Sequence, residues 1–325
     1  MKNNSSSHNI KLTQISKFKA GIEIQGFFIC REKHLKLTKN GDPYLDVSLS
    51  DNSGKIIGRL WDNASHFDDK FMSGTAVAVK GIPVEYNKSL QLQIKLINEA
   101  DPEIYSKYGF NPDELITVIK ENPVTLRKNI SKLLDSITDP HLNKLCKTVL
   151  KKYSEKISTL PASINIHYTE KGGLLKHTFN CMKIGEGFGQ IYPDLNMDIL
   201  LSGLFLHDIG KIKSYSGDLI FEETEESKFN DHPELGWEII IEELNLIKKF
   251  PIKIKNKLKH MLFTHHEMEI DGTMQGPCFP EALLLLHINK MDAGLNVMNR
   301  IIKDDITNDE WTDQFNSFKR QLYKM

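Results

Sequence analysis

Long apolar runs are missing from this sequence. The longest purely apolar stretches, such as residues 282–286, fall far short of a membrane-crossing helix, which takes about 20 such residues. Cysteine is scarce: Cys30, Cys146, Cys181 and Cys278 are widely spaced and form no CxxC pair. That spacing excludes a zinc ribbon and a thioredoxin-like redox motif, and reads as reduced thiols in a cytoplasmic protein. The first residues carry no apolar h-region, so a secretory signal is not expected. An excess of one charge is also lacking. The 42 basic residues against 43 acidic ones exclude a histone-like polycation, so any nucleic-acid contact must come from a local patch. What remains is an ordinary globular composition, 40 % hydrophobic and 26 % charged. A chain of 325 residues suggests two domains, at about 150 residues each.

The hydrophobic pattern changes once along the chain. Residues 1–20 begin Asn/Ser-rich and are expected to be disordered. Over residues 21–101 apolar positions alternate with polar ones: Leu45, Val47 and Leu49 in one run, Leu90, Leu92, Ile94 and Leu96 in another. Residues 22–31, 56–61 and 75–81 complete five strands, with turn signals between them and a helix expected within 63–72, before the fourth strand. Five strands with a helix between the third and fourth is the order of an OB-fold, a small Greek-key β-barrel. After Pro102 the period becomes helical. Residues 102–165 read as a helical connector, with helices expected near 112–120, 124–136 and 141–158. Residues 166–325 read as an all-α domain, with an acidic solvated loop at 222–226.

The 12 histidines matter by position. A helix over residues 173–191 has the apolar stripe Leu174, His177, Cys181, Ile184 and Phe188, which points His177 inward. A helix over 197–206 runs into His207-Asp208-Ile209-Gly210-Lys211. Another starts after Asp231, an N-cap, with His232-Pro233 in its first turn. A helix over 252–266 ends in His265-His266, and one from Pro280 puts Leu285, Ile288 and Asp292 on one face. One inward histidine is usually a structural residue. Five of them with two aspartates, each on or ending a helix, would be costly to bury without a partner. A divalent metal offsets that cost, and helix bundles build metal sites from facing side chains. Adjacent helical residues point about 100° apart, so His265 and His266 share a metal only if the helix frays there. Nitrogen and oxygen ligands without thiolate suit Mn²⁺, Fe or Zn. His8, His34, His66, His141, His260 and His287 lie off the cluster, and His167, just ahead of the first ligand helix, is placed to touch a substrate.

The order His … His-Asp … His … His-His … Asp, with the HDxGK signature at His207–Lys211, resembles the metal-dependent HD phosphohydrolase superfamily. The resemblance implies one metal on His177, His207, Asp208 and Asp292. Asp208 would bridge to a second metal, completed by His232, His265 and His266. It also implies a catalytic role for Asp208 in holding both metals, and for Lys211 in stabilising developing negative charge.

The barrel supplies the second clue. OB-folds bind single strands on strands two and three and the adjacent loops. Lys33, Lys36 and Lys39 are expected in the first loop, Tyr86 and Lys88 in the last, and Tyr44, Arg59 and Trp61 on the strands. An OB barrel followed by an HD domain resembles the YhaM family of bacterial 3′-to-5′ exoribonucleases. The likeness includes Leu60-Trp61-Asp62, Gly172-Gly173-Leu174-Leu175-Lys176-His177 and Ile288-Asn289-Lys290-Met291-Asp292-Ala293. The chain departs from that family at Asp231, where glycine is usual, and in the acidic segment 222–226, which opposes a polyanion. The resemblance implies a manganese-dependent 3′-5′ exoribonuclease on single-stranded RNA, with single-stranded DNA as a further substrate. No membrane partner is expected, and self-association into a homo-oligomer is left open. The competing readings are an HD phosphohydrolase of nucleotides or cyclic dinucleotides, and a nucleic-acid-binding protein with a vestigial HD domain.

Overall fold

A computed structural model describes residues 12–87, 89–266 and 276–324. The chain divides into two compact units, Met1–Thr117 and Val118–Met325.

The first unit is a closed five-stranded barrel in the order β1-β2-β3-β5-β4, with β4 returning to β1. Its strands are β1 (Ile24–Leu37), β2 (Pro43–Asp51), β3 (Gly54–Leu60), β4 (Ala76–Tyr86) and β5 (Ser89–Glu99), and a short helix α1 (Ala64–Asp68) lies between β3 and β4. Only β3 and β5 pair in parallel. This is the OB-fold order expected from the sequence. Leu45, Val47, Leu49, Leu60, Leu92 and Ile97 are buried in its core.

Two bulges shift the strands from the expected pattern. A register shift between Cys30 and Glu32 lets the first half of β1 pair with β4 and the second half with β2. Lys33, His34 and Lys36 therefore lie on a strand, not in the expected loop, and only Lys39 falls in the β1–β2 turn. A second shift, at Lys80/Gly81 of β4, changes the phase of β5 opposite it. Ile94 is buried, Leu96 is exposed and Ile97 is buried again, because one extra residue moves the side chains to the other face.

Residues 12–20, expected to be disordered, are tied to the barrel. Thr13 N donates to Gln25 O at 3.0 Å, and Ile15 N to Asp51 Oδ2 at 2.9 Å. Residues 1–11 lie outside the described residues.

The expected connector does not stand alone. Its first part, α2 (Pro102–Tyr105) and two 3₁₀ turns, falls in the first unit. The turn at Pro112–Glu114 replaces the helix expected over 112–120. Pro123 disfavours helix in the residue before it, and Ile119 N instead donates to Lys171 O at 3.1 Å. The second part, α3 (Pro123–Asp135) and α4 (Pro140–Thr159), shares one core with α5 (Gly173–Ile191) and α6 (Met197–Leu206). Leu126, Ile130, Leu134, Leu142 and Val149 are buried there.

α6 is apolar all round, and every residue from Ile199 to Leu206 is buried, as a central helix requires. Around it run α7 (Lys211–Ser214), α8 (His232–Asn245), α9 (Ile252–Thr264) and α10 (Pro280–Asp304). The acidic segment is not a plain loop. β7 (Glu222–Glu223) pairs with β6 (Tyr215–Ser216), although its side chains are exposed. The chain after Asp304 carries no helix among the described residues.

Candidate metal centre

Helix ends bring the site together. α6 stops at Leu206, and His207 and Asp208 follow it inside the core, both buried. α8 begins at His232, held by an N-terminal capping interaction in which Asp231 N donates to Glu234 Oε2 at 3.2 Å. Asp231, the departure noted above, thus serves as the cap. α9 ends at Thr264, so His265 and His266 leave the helical path. That is the condition under which both rings can face one centre.

Asp208 is the hub. His232 Nε2 lies 3.4 Å and His265 Nε2 3.7 Å from its Oδ1. His177 Nε2 lies 3.6 Å and His207 Nε2 3.5 Å from its Oδ2. His232 Nε2 is 3.1 Å from the Nε2 atoms of both His265 and His266. Ligand atoms of Asp208, His232, His265 and His266 all lie within 4.8 Å of one another. Asp208 Oδ1 is buried and has no hydrogen-bond partner among the described residues.

The ring tautomers follow from the carbonyls. His207 Nδ1 donates to Leu204 O at 2.9 Å, and His265 Nδ1 to Leu262 O at 2.6 Å. A carbonyl only accepts, so in each neutral ring Nε2 carries the bare lone pair. Lone pairs and an unpartnered carboxylate oxygen converging in a buried space repel one another. A divalent cation removes that conflict, so the residues fit the metal. Cys181 Sγ also approaches His177 Nδ1 at 3.7 Å, and burial raises its pKa.

Burial lowers the pKa of His207 and His232 well below 6.5, and that of His266 to about 3. Burial also holds His167 down at about 3. Burial opposes the charge of Asp208, but the Lys211 ammonium beside it outweighs that and holds the carboxyl well below 3.8. Burial likewise opposes charge on His177, yet Cys181, Asp292 and Asp208 push it up to about 10.

These directions set a pH dependence for the metal-free protein. Below pH 6.5 the unfolded chain binds protons at His207, His232 and His167 that the folded chain refuses. Each refused proton lowers stability by about 1.4 kcal/mol per pH unit in that window. His177 has the opposite sign: its contribution is full below 6.5 and lost as pH rises toward 10. Three rings outweigh one, so denaturant unfolding of chelator-treated protein should give a lower stability at pH 5 than at pH 7.5. Equal values would contradict the neutral cluster.

Asp292 is placed differently from the expectation. It stands behind His177, its Oδ2 accepting from Nδ1 at 2.7 Å, while Oδ1 takes Tyr168 OH and Asn180 Nδ2, both at 3.0 Å. It does not join the converging ligand atoms of Asp208 and the histidines. Lys211 is buried, with Nζ 2.7 Å from Asp208 Oδ2. Its ammonium pairs with that carboxylate. Tyr168, Asn180 and Asn289 were not singled out from the sequence. Asn289 Oδ1 lies 3.0 Å from His177 Nε2, and its spacing of three from Asp292 on α10 is the signal that marks it.

In the barrel, Tyr44 and Trp61 stack at 4.7 Å and 26°, and Arg59 lies 6.0 Å from Trp61 and 5.7 Å from Tyr86. Trp61 and Tyr86 are exposed. Lys36 and Arg59 both meet Asp46, so this aromatic and cationic face carries its own counter-charge. Lys33 is withdrawn from it, paired with Asp68 at 3.0 Å and lying over Phe71. Lys39 is exposed in the turn, and Lys88 lies outside the described residues.

Residues 174–297 match the HD domain family, and a second model, TraI_2, matches residues 118–185. A protein described as 3′-5′ exoribonuclease YhaM from Oceanobacillus iheyensis is 30 % identical over 313 residues, 94 % of each chain. Proteins of the same description from Listeria welshimeri and Shouchella clausii are 27 % and 25 % identical, covering 88 % and 89 % of this chain and 90 % and 89 % of their own. Among solved structures, the second OB-fold domain of replication protein A from Methanococcus maripaludis covers 28 % of this chain and 96 % of its own, at 18 % identity and a TM-score of 0.25. At that score the likeness carries no weight, and the barrel is identified by its strand order.

Proposed function

The chain belongs to the YhaM family of 3′-5′ exoribonucleases, and from that premise we propose that it shortens single-stranded RNA from the 3′ end by hydrolysis at the Asp208 centre. The observation that carries this reading is the unpartnered, buried Asp208 Oδ1 among converging imidazole nitrogens. We assign the centre to two divalent cations, with manganese first and Fe or Zn as alternatives. Asp208, His207, His232, His265 and His266 would hold them, with His177 on the Oδ2 side. When bound, such cations polarise a phosphoryl oxygen and lower the pKa of a water to make the nucleophile. Lys211 holds Asp208 ionised and fixed, and Asp292 orients His177.

The barrel's role in this reading is to hold the strand. Tyr44, Trp61 and Tyr86 offer stacking surfaces, and Lys36, Lys39 and Arg59 meet phosphates. Trp61→Ala should weaken binding of single-stranded RNA by about 1–3 kcal/mol, the value of one stacked base. Fluorescence anisotropy without metal reads binding free of cleavage, and an unchanged affinity would move the strand to another surface.

Purified protein with Mn²⁺ and 5′-labelled single-stranded RNA tests the activity itself. The expected product is a ladder shortening from the 3′ end. Intact RNA, with phosphate or nucleotides released from small substrates, would reassign the centre to small-molecule hydrolysis.

A further inference from the structure

His167 is held over the metal centre by an unusual amount of scaffolding. The loop that carries it, between α4 and α5, is pinned on both sides of the residue. Arg300 donates to Ile166 O at 2.7 Å, and Tyr168 N donates to Asn296 Oδ1 at 2.8 Å. Tyr168 O accepts from Ala162 N at 3.0 Å, closing the loop on itself. Tyr168 adopts φ +45°, a left-handed conformation rarely taken by a bulky residue. Such strain persists only where the surroundings impose it, and it gathers at functional sites. Gly173 completes the fit: a Cβ there would lie 2.0 Å from Tyr168 O. Only glycine lets the loop rest on the start of α5.

What this scaffolding presents is a ring nitrogen with nothing to bind. His167 Nε2 is buried and has no hydrogen-bond partner among the described residues. The ring stands 5.2 Å from that of His177, and its ligand atom lies within 4.8 Å of those of His177 and Asp208. Several of its neighbours already direct a polar hydrogen at another acceptor. His207 and His265 donate Nδ1–H to carbonyls, His177 donates Nδ1–H to Asp292, and Lys211 donates to Asp208. A phosphodiester offers only acceptors. The buried, unpartnered nitrogen of His167 can supply a donor to such an acceptor.

We propose that His167 is a substrate-binding residue, whose ring N–H hydrogen-bonds a phosphoryl oxygen of the 3′-terminal phosphodiester. The assignment rests on the exoribonuclease reading above. It makes His167 the donor that fixes the scissile group over Asp208, supplied by a strained loop and not by the helices that carry the ligands.

The test compares wild type, His167→Ala and His167→Gln in the full chain, with two readouts. One is kcat and KM on 5′-labelled single-stranded RNA. The other is the Mn²⁺ binding isotherm measured calorimetrically without RNA. For His167→Ala, kcat/KM should fall about 100-fold, the usual cost of removing one aimed donor, while Mn²⁺ affinity stays within twofold. His167→Gln keeps an N–H and should recover part of the loss. The unchanged isotherm also shows that the variant has folded around an intact cluster. A tenfold loss of Mn²⁺ affinity in His167→Ala would make the residue a ligand and overturn the proposal. Unchanged kcat/KM in His167→Ala would overturn it too, while leaving the exoribonuclease reading intact. A wild type that binds Mn²⁺ but leaves RNA whole would remove both.

Discussion

Gly210→Ala is expected to dismantle one side of the metal centre without touching a ligand. Gly210 follows Asp208 by two residues and lies against the first turn of α8. A Cβ there would stand 1.8 Å from His232 O and 2.5 Å from Gly236 N. Both are backbone atoms, so no rotamer relieves the clash. α8 must retreat, and it takes His232 away from Asp208 Oδ1, now 3.4 Å distant. Overpacking that side chains can absorb costs about 1–3 kcal/mol. Here the expected loss is above about 3 kcal/mol, together with at least tenfold weaker Mn²⁺ binding. Gly236→Ala is the control. Its nearest contacts would be 3.1 Å to Gly210 N and 3.4 Å to Ile209, which a small shift accommodates. Denaturant unfolding and calorimetric titration of both variants check the pair. Equal effects would mean that the approach of α8 to Gly210 does not set His232.

Asp208→Asn should have the larger effect on activity. The substitution keeps the shape but removes the charge that gathers four histidines and Lys211. Loss of a metal-held transition state worth several kcal/mol predicts a fall in RNA shortening of roughly 10³-fold or more. Stability should fall as well, because Lys211 is left buried and unpaired, at a cost of about 3–5 kcal/mol. Adding Lys211→Met removes the stranded ammonium. The double variant should regain most of the stability and none of the activity. RNA affinity without metal should stay within twofold of wild type in both, since the barrel is untouched. If the double variant shortens RNA at an appreciable rate, the chemistry lies elsewhere in the molecule.

Much of the site was legible because its helices announce their own ends. Apolar spacing and caps place α5 and α6 at their observed bounds, and Asp231 before His232-Pro233 places the start of α8. A helical period says which face a side chain occupies. It does not say how far that side chain reaches or what meets it. That is why Asp292, on the inward face as expected, stands behind His177 instead of beside Asp208. The same limit hid Tyr168 and Asn180, which only the folded chain brings to that carboxylate. In the barrel, period two located the strands, but a bulge is a shift by a single residue and leaves little trace in composition. The second half of β1, with exposed Leu35 and Leu37, therefore read as a loop, and Leu96 read as core.

If the Asp208 cluster, loaded with a divalent cation, trims RNA from its 3′ end, the activity must follow the metal. The most direct measurement follows 5′-labelled single-stranded RNA with chelator-stripped protein, then adds Mn²⁺ to the same reaction. Intact RNA is expected before the addition, a ladder shortening from the 3′ end after it, and no ladder at any time with Asp208→Asn. Shortening by the stripped protein, or by the variant at the wild-type rate, would contradict metal-dependent trimming at Asp208.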